Sequence, residues 1–270
     1  MAGDVFLDAF FSDRRLALLR DRRLVPHLSS PFYRKLAALV SEIFDGAAVG
    51  GDEAARRYLE FAQYYTSDLH FFQQTMHYPA ASGQQRSVDP ETYHAALLAS
   101  TIMVWHRFRI FELFDTAFVS CRKAAVLGYG TGLEIRLAAD RAAAITGFDC
   151  LETKYNSHLD RLPNVRRCRD EFESDEGFDT VVVIEFLEHL PAPLEFLRGA
   201  ASRMTSGSRL IGTTAVNVPQ FDHLANFDGS EIAGFADACG WQIVFFEEIP
   251  HQYSEVTISA KNQFFVLEKK

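Results

Sequence analysis

The chain has 270 residues, 48% of them apolar, and a formal net charge of −9, enough material for one large domain or for a standard domain with a helical appendage. The acidic balance, with a sequence pI near 5.5, argues against a dedicated nucleic-acid surface, which draws on clustered Lys and Arg. Four scattered cysteines (Cys121, Cys150, Cys168, Cys239) offer neither a zinc signature nor a disulfide framework, and no apolar run reaches the roughly 20 residues of a membrane span, so a soluble protein of the reducing cytoplasm is expected.

From Met1 to about Val119 the pattern is helical and rich in Phe. Apolar residues recur three and four apart at Phe32, Leu36, Leu39, Val40, Ile43 and Phe44. The stretch from Gly46 to Gly51 breaks that helix, and Asp52 caps a second one over Glu53–Gln74. A loop spans Pro79 to Asp89. Asp89-Pro90-Glu91 then opens a third helix with a cap, a proline at the first position and an acid in the first turn, and the pattern extends to Phe114.

From Ala124 onward short apolar runs alternate with helical stretches, the mark of a parallel sheet with crossover helices. Strands are expected at Ala124–Leu127, Ala144–Phe148, Val165–Cys168, Phe178–Ile184 and Arg209–Thr214. Trp241–Ile249 and Gln263–Leu267 read as a closing hairpin that adds an antiparallel edge. The expected fold class is α/β, a doubly wound Rossmann-like sheet, with a helical region 1–119 before a region 120–270 that carries the chemistry.

Four motifs stand in order. Val126-Leu127-Gly128-Tyr129-Gly130-Thr131-Gly132 follows the first strand and opens a helix. Alternate glycines permit a tight turn and a close ligand approach. A dinucleotide fingerprint would place its third glycine where Leu133 stands, and no P-loop lysine is present, so nucleotide phosphates are disfavoured. Asp149, about 20 residues on at the end of the second strand, suits ribose hydroxyls; Asp170 and Glu171, beyond the third strand, suit an adenine amine or remain solvated loop acids. The fourth motif runs from Phe178 through Ile184-Glu185-Phe186-Leu187-Glu188-His189-Leu190-Pro191.

Together these motifs resemble the class I S-adenosylmethionine-dependent methyltransferases, particularly the ubiquinone-biosynthesis O-methyltransferase type, over about residues 120–270. Gly207-Ser208-Arg209-Leu210, Asn217-Val218-Pro219 and His223 continue the likeness. The resemblance implies S-adenosylmethionine as cofactor, held by Gly128, Tyr129, Gly130, Gly132, Asp149, Asp170, Glu171 and Glu185. It also implies an acid two residues before the first glycine; here Val126 occupies that place, so backbone groups or a residue from the helical region must hold the cofactor's ammonium.

In-line methyl transfer depends chiefly on alignment, with a base where the acceptor must lose a proton. Glu185, Glu188, His189 and His223 are the candidates. His189 has a suitable unperturbed pKa, although a turn histidine bonded to a neighbouring loop is an equal reading for it. Tyr58, Phe61, Tyr64, Tyr65, His70, Phe71, Phe72, His77 and Tyr78, with Tyr93, Trp105, His106 and Phe108, form either helical core or a lid over an acceptor pocket, and such a helical half could equally mediate a homodimer. His70 and His77 alone lack a third ligand, and no metal is expected. Basic doublets such as Arg56-Arg57 read as solvated faces. A small-molecule acceptor follows, with a lean towards an amine or guanidine and a phenol close behind. An aminocarboxypropyl transferase of the nicotianamine-synthase type, or a non-catalytic interaction protein on the same fold, are the alternatives.

Overall fold

The computed structural model describes residues 2–80, 88–169, 172, 177–227, 229–251 and 260–270. Among the described residues six α-helices come first: α1 (Ala2–Phe10), α2 (Arg14–Leu24), α3 (Pro31–Gly46), α4 (Gly51–Thr75), α5 (Pro90–Ser100) and α6 (Trp105–Ala117). Their starts follow local chemistry. The Ser30 side chain accepts the Tyr33 N–H with Pro31 at the first position, and the Asp89 side chain accepts the Thr92 N–H ahead of Pro90. The single helix expected after Asp89 is two. The hydroxyls of Ser100 and Thr101 donate to the carbonyls of Leu97 and Leu98, competing with the helical ladder, and Val104 turns extended before α6 begins.

The sheet follows: β1 (Cys121–Leu127), α7 (Leu133–Ala138), β2 (Ala142–Phe148), β3 (Val165–Cys168), β4 (Thr180–Val183), α8 (Pro193–Ser202), β5 (Arg209–Val216), α9 (Glu231–Ala238), β6 (Trp241–Pro250) and β7 (Lys261–Lys269). The seven strands lie in the order β3-β2-β1-β4-β5-β7-β6. β1 to β5 run parallel to their neighbours, and β7 enters antiparallel between β5 and β6. This is the expected doubly wound sheet with an antiparallel edge. Strand order reverses between β1 and β4, which opens the crevice where such sheets bind ligands.

Strand residues alternate between two cores, as a period of two requires. Ala124, Val126, Val182 and Ile211 point to one face, where they join the buried side chains of α1–α6. Ala125, Leu127, Val181, Val183 and Leu210 point to the other, beneath α8 and α9. The strongest stripe is on α6, where Phe108, Phe111 and Phe114, with Phe118 just beyond, are at most 1% exposed; each contributes about 1.5–3 kcal/mol of burial. The helical region therefore packs directly on the sheet face that carries the β1 glycine loop. Among the described residues no helix is long and apolar enough to cross a membrane, and Cys121, Cys150, Cys168 and Cys239 are free thiols.

Candidate functional site

The site forms at the carboxyl ends of β1, β2 and β4. Gly128, Gly130 and Gly132 have φ of +62°, +47° and +78°, a region that costs other residues about 1–2 kcal/mol each. A Cβ on Gly128 would stand 2.3 Å from Phe186 Cδ2, whereas one on Gly130 would meet only His94 at 3.8 Å. The first glycine thus lets the β4 tip close on the loop, and the second keeps the loop's outer side open. Asp149 braces the turn: one oxygen accepts the Gly130 N–H (2.8 Å) and the other the Leu151 N–H (2.8 Å). Each oxygen retains lone-pair capacity for a ribose hydroxyl. Asn156 Nδ2 donates to the Gly130 carbonyl, and His158 Nε2 to that of Thr131, from below.

A cleft of about 750 Å³ lies over this loop, walled by Gly130, Phe148, Asp149, Leu151, Phe172 and Phe186. That volume is within the roughly 300–1,000 Å³ typical of metabolite and cofactor sites. The open glycine cradle, the braced carboxylate and the aromatic wall fit a nucleoside with a polar tail. Tyr129 turns inward, its ring against Gly147, and burial pushes its phenol pKa up. Asp170 and Glu171 lie outside the described residues.

A second, narrower cavity of about 130 Å³ continues beneath the helical region. Both cavities are walled by Gly128, Gly130, Glu185 and His189. Tyr58, Phe61 and Tyr65 of α4, with Tyr93 of α5 and His106 of α6, form its helical wall. His70 and His77 are exposed, Phe71 and Phe72 half-buried, and Phe108 belongs to the core.

Glu185 lies two residues beyond β4 with φ +50°, its N–H donating to Thr213 Oγ1 (2.7 Å). Its carboxylate is doubly held, by Arg107 from α6 (2.6 Å) and by Asn262 from β7 (2.6 Å). Glu188 is 1% exposed, and its Oε2 has no hydrogen-bond partner. Burial, reinforced by the nearby Glu185, raises its pKa to about 7. His189 Nδ1 lies 3.1 Å from the Asp222 carbonyl. Burial lowers its pKa, but the carboxylates of Asp222 and Glu188 outweigh that, and the net shift is upward. His223, with Nδ1 2.8 Å from the Val218 carbonyl, is lowered to about 4 by burial. The loop that carries it is pinned where Asn226 Oδ1 accepts from both Tyr78 Oη and the Asn217 N–H. The four acid–base candidates are therefore gathered around one cavity, and Glu188, His189 and His223 present ligand atoms within 4.8 Å of one another, an arrangement that can hold a metal ion.

Three residues enter the site without a motif to announce them. Arg107 and Asn262 hold Glu185 from 78 and 77 residues away in the chain. Glu134, in the first turn of α7, faces the inner cavity, and burial raises its pKa to about 7. Only the presence of an acid two residues after Gly132 marks it in the sequence.

Residues 126–212 match the model of a family described as a methyltransferase domain. No curated protein matches the chain. Similar solved structures include a chain in the complex between the Haloferax volcanii Trm112 methyltransferase activator and a putative methyltransferase (13% identity, TM-score 0.51, covering 67% of this chain and 99% of that one). Another is the Burkholderia thailandensis 1,6-didemethyltoxoflavin-N1-methyltransferase with bound 1,6-didemethyltoxoflavin and S-adenosylhomocysteine (15% identity, TM-score 0.50, 68% and 92%). A third is the YcgJ protein of Bacillus subtilis (13% identity, TM-score 0.50, 61% and 99%). At these identities the likeness is one of fold.

Proposed function

We propose that this chain, a class I S-adenosylmethionine-dependent methyltransferase, methylates a nitrogen or an oxygen of a small metabolite held beneath its N-terminal helices. The observation that carries the reading is the junction of the two cavities: the cleft over the Gly128–Gly132 loop leads, past Glu185 and His189, into a pocket walled by α4, α5 and α6. A ligand in the inner cavity therefore lies next to one in the cleft.

S-adenosylmethionine, when bound, supplies an electrophilic methyl group on a sulfonium. The chain's own residues then have separable tasks. Asp149 accepts from the ribose hydroxyls, and the loop backbone admits the cofactor closely. Phe148 and Phe172, edge-to-face at 5.3 Å, offer an apolar wall to the adenine. Glu134 takes the ammonium in place of the acid lost at Val126. Its buried carboxyl is poised near neutrality, and an arriving cation favours its charged form. Glu188 and His189 receive the acceptor's proton where one must leave: burial brings the Glu188 carboxyl up to about 7, and the Asp222 and Glu188 carboxylates raise the affinity of the His189 ring for a proton. Glu185, held by Arg107 and Asn262, fixes the wall between the two ligands rather than moving a proton.

The aromatic wall and three acidic groups suit an amine or guanidine, and a hydroxyl is served by the same proton acceptors. The acidic chain and its unclustered basic residues favour a metabolite over nucleic acid, and four free thiols suit a reducing cytoplasm. The test is to incubate the protein with S-adenosylmethionine and a panel of amines, guanidines, phenols and catechols, and to read the products by mass spectrometry. A methylated product supports the reading; an aminocarboxypropyl adduct replaces it with transfer of the cofactor's other arm. Cofactor binding with no product from any class, in a protein that retains its fold, counts against a small-molecule acceptor.

A further inference from the structure

We propose that Glu188, His189 and His223 form a binding site for one divalent transition-metal cation of the zinc or cobalt type on the wall of the inner cavity. The inference deepens the acceptor-pocket reading and rests on it in one respect: the open side of the cation faces that pocket and selects an acceptor with an oxygen donor, such as a catechol or another hydroxylated compound.

The hydrogen bonds of the two histidines assign their tautomers. A carbonyl oxygen only accepts, so His189 Nδ1, 3.1 Å from the Asp222 carbonyl, and His223 Nδ1, 2.8 Å from the Val218 carbonyl, both carry hydrogen. In the neutral rings each Nε2 then bears a free lone pair. A ring whose far N–H is anchored on a backbone carbonyl is the usual arrangement of a ligating imidazole. His189 has a further outer partner in the Asp222 carboxylate, 3.5 Å from Nδ1, which Gln220 Nε2 orients in turn (2.8 Å).

The third ligand is Glu188. Its side chain is buried, and Oε2 meets no donor; a buried carboxylate in that condition calls for a cation or a proton. Its backbone carbonyl accepts the N–H groups of Leu224 (2.8 Å) and Ala225 (3.0 Å), so the turn bearing Glu188 and His189 is tied to the segment bearing His223. One nitrogen of each histidine and one Glu188 carboxylate oxygen lie within 4.8 Å of one another. A shared cation at about 2.1 Å from each needs them roughly 3–3.5 Å apart, a closure within reach of a carboxylate rotation and a small tilt of one ring. Two imidazoles and one carboxylate suit zinc, cobalt or iron better than magnesium or calcium, and leave at least one coordination position open. Tyr93, Glu185 and Gln220 line the same cavity.

The test titrates the chelator-stripped, dialysed protein with Co²⁺ and Zn²⁺ by calorimetry, and follows Co²⁺ by its visible absorption. One cation per chain is expected, with cobalt bands of a nitrogen–oxygen site that shift when catechol is added. Glu188→Gln and His223→Gln should weaken binding by more than the roughly 10–100-fold that loss of an outer partner costs, in proteins whose circular dichroism matches the parent. The exposed-histidine variants His70→Gln and His77→Gln should bind as the parent does. A parent that takes up no stoichiometric cation overturns the site, as does uptake unaffected by Glu188→Gln and His223→Gln or abolished by the His70 or His77 variant. Titration with S-adenosylhomocysteine separates the two readings. A parent that binds it but no cation loses the metal site and keeps the methyltransferase assignment, whereas a parent that binds the cation alone keeps the site and loses the assignment of the cleft.

Discussion

The ion pair between Arg107 and Glu185 joins the helical region to the tip of β4, and its energetics can be isolated. The Arg107 side chain is 9% exposed and that of Glu185 is 24% exposed, with 2.6 Å between them. Breaking a fully buried pair costs about 3–5 kcal/mol because a charge is left uncompensated. Here Asn262 still donates to Glu185 and partial exposure screens the carboxylate, so Arg107→Met should cost about 2–3 kcal/mol. Glu185→Gln takes the negative charge away from the more deeply buried guanidinium, and should cost about 2–3 kcal/mol. The double variant removes both charges at once and should be no worse than either single one, a coupling of at least about 2 kcal/mol. Urea unfolding measures all three, and each single variant should lower Tm by about 5–10 °C. Single variants within about 0.5 kcal/mol of the parent, or a double variant equal to the sum, would refute the view that α6 locks the site through this pair.

Asp149→Ala removes the ribose acceptor and should weaken S-adenosylhomocysteine binding by about 2–3 kcal/mol, roughly 30–150-fold; calorimetry that finds parental affinity contradicts the assignment of the cleft. Gly128→Ala places a methyl 2.3 Å from Phe186 at φ +62°, so it should lower Tm and weaken the cofactor, and Phe186→Ala in the same chain should recover part of both. Glu134, with its pKa raised to about 7, gives a signed pH dependence. The folded state favours the protonated carboxyl, so this group's stabilisation is complete below about pH 4.5 and is lost as pH rises through 7. Glu134→Gln should therefore gain on the parent by up to about 3 kcal/mol between pH 5 and 8 in denaturant titrations. Cofactor affinity of the parent should rise over the same interval, as the carboxylate becomes available to the ammonium, and Glu134→Gln should lose that rise.

The centre of the sheet is legible in the sequence because β4 and β5 are buried on both faces and so read as nearly unbroken apolar runs, as in Thr180–Val183 with all four residues buried. The glycine loop and Asp149 are legible because a backbone with φ above zero and a fixed strand-to-strand interval leave a local trace. The break between α5 and α6 is not, since it turns on where the hydroxyls of Ser100 and Thr101 point. Arg107 and Asn262 carry no trace either. Each stands among other polar residues of its element, Arg107 beside His106 and Arg109 and Asn262 between Lys261 and Gln263, and its partner is fixed only when the helices dock on the sheet. Glu188 and His189 stand out as neighbours, but their meeting with His223 depends on the backbone bonds from Leu224 and Ala225 to Glu188, a contact between segments. The aromatic stripe of α4 divides between core and cavity wall, a choice set by helix rotation that periodicity alone does not fix.

The most direct test of the account is calorimetric titration of the purified protein with S-adenosylmethionine and, separately, with S-adenosylhomocysteine. The account predicts micromolar binding of both at one site per chain, weakened by Asp149→Ala and by Glu134→Gln. Absence of binding by either ligand, in protein whose circular dichroism shows the mixed helix–sheet fold, would contradict the assignment of the cleft as a cofactor site.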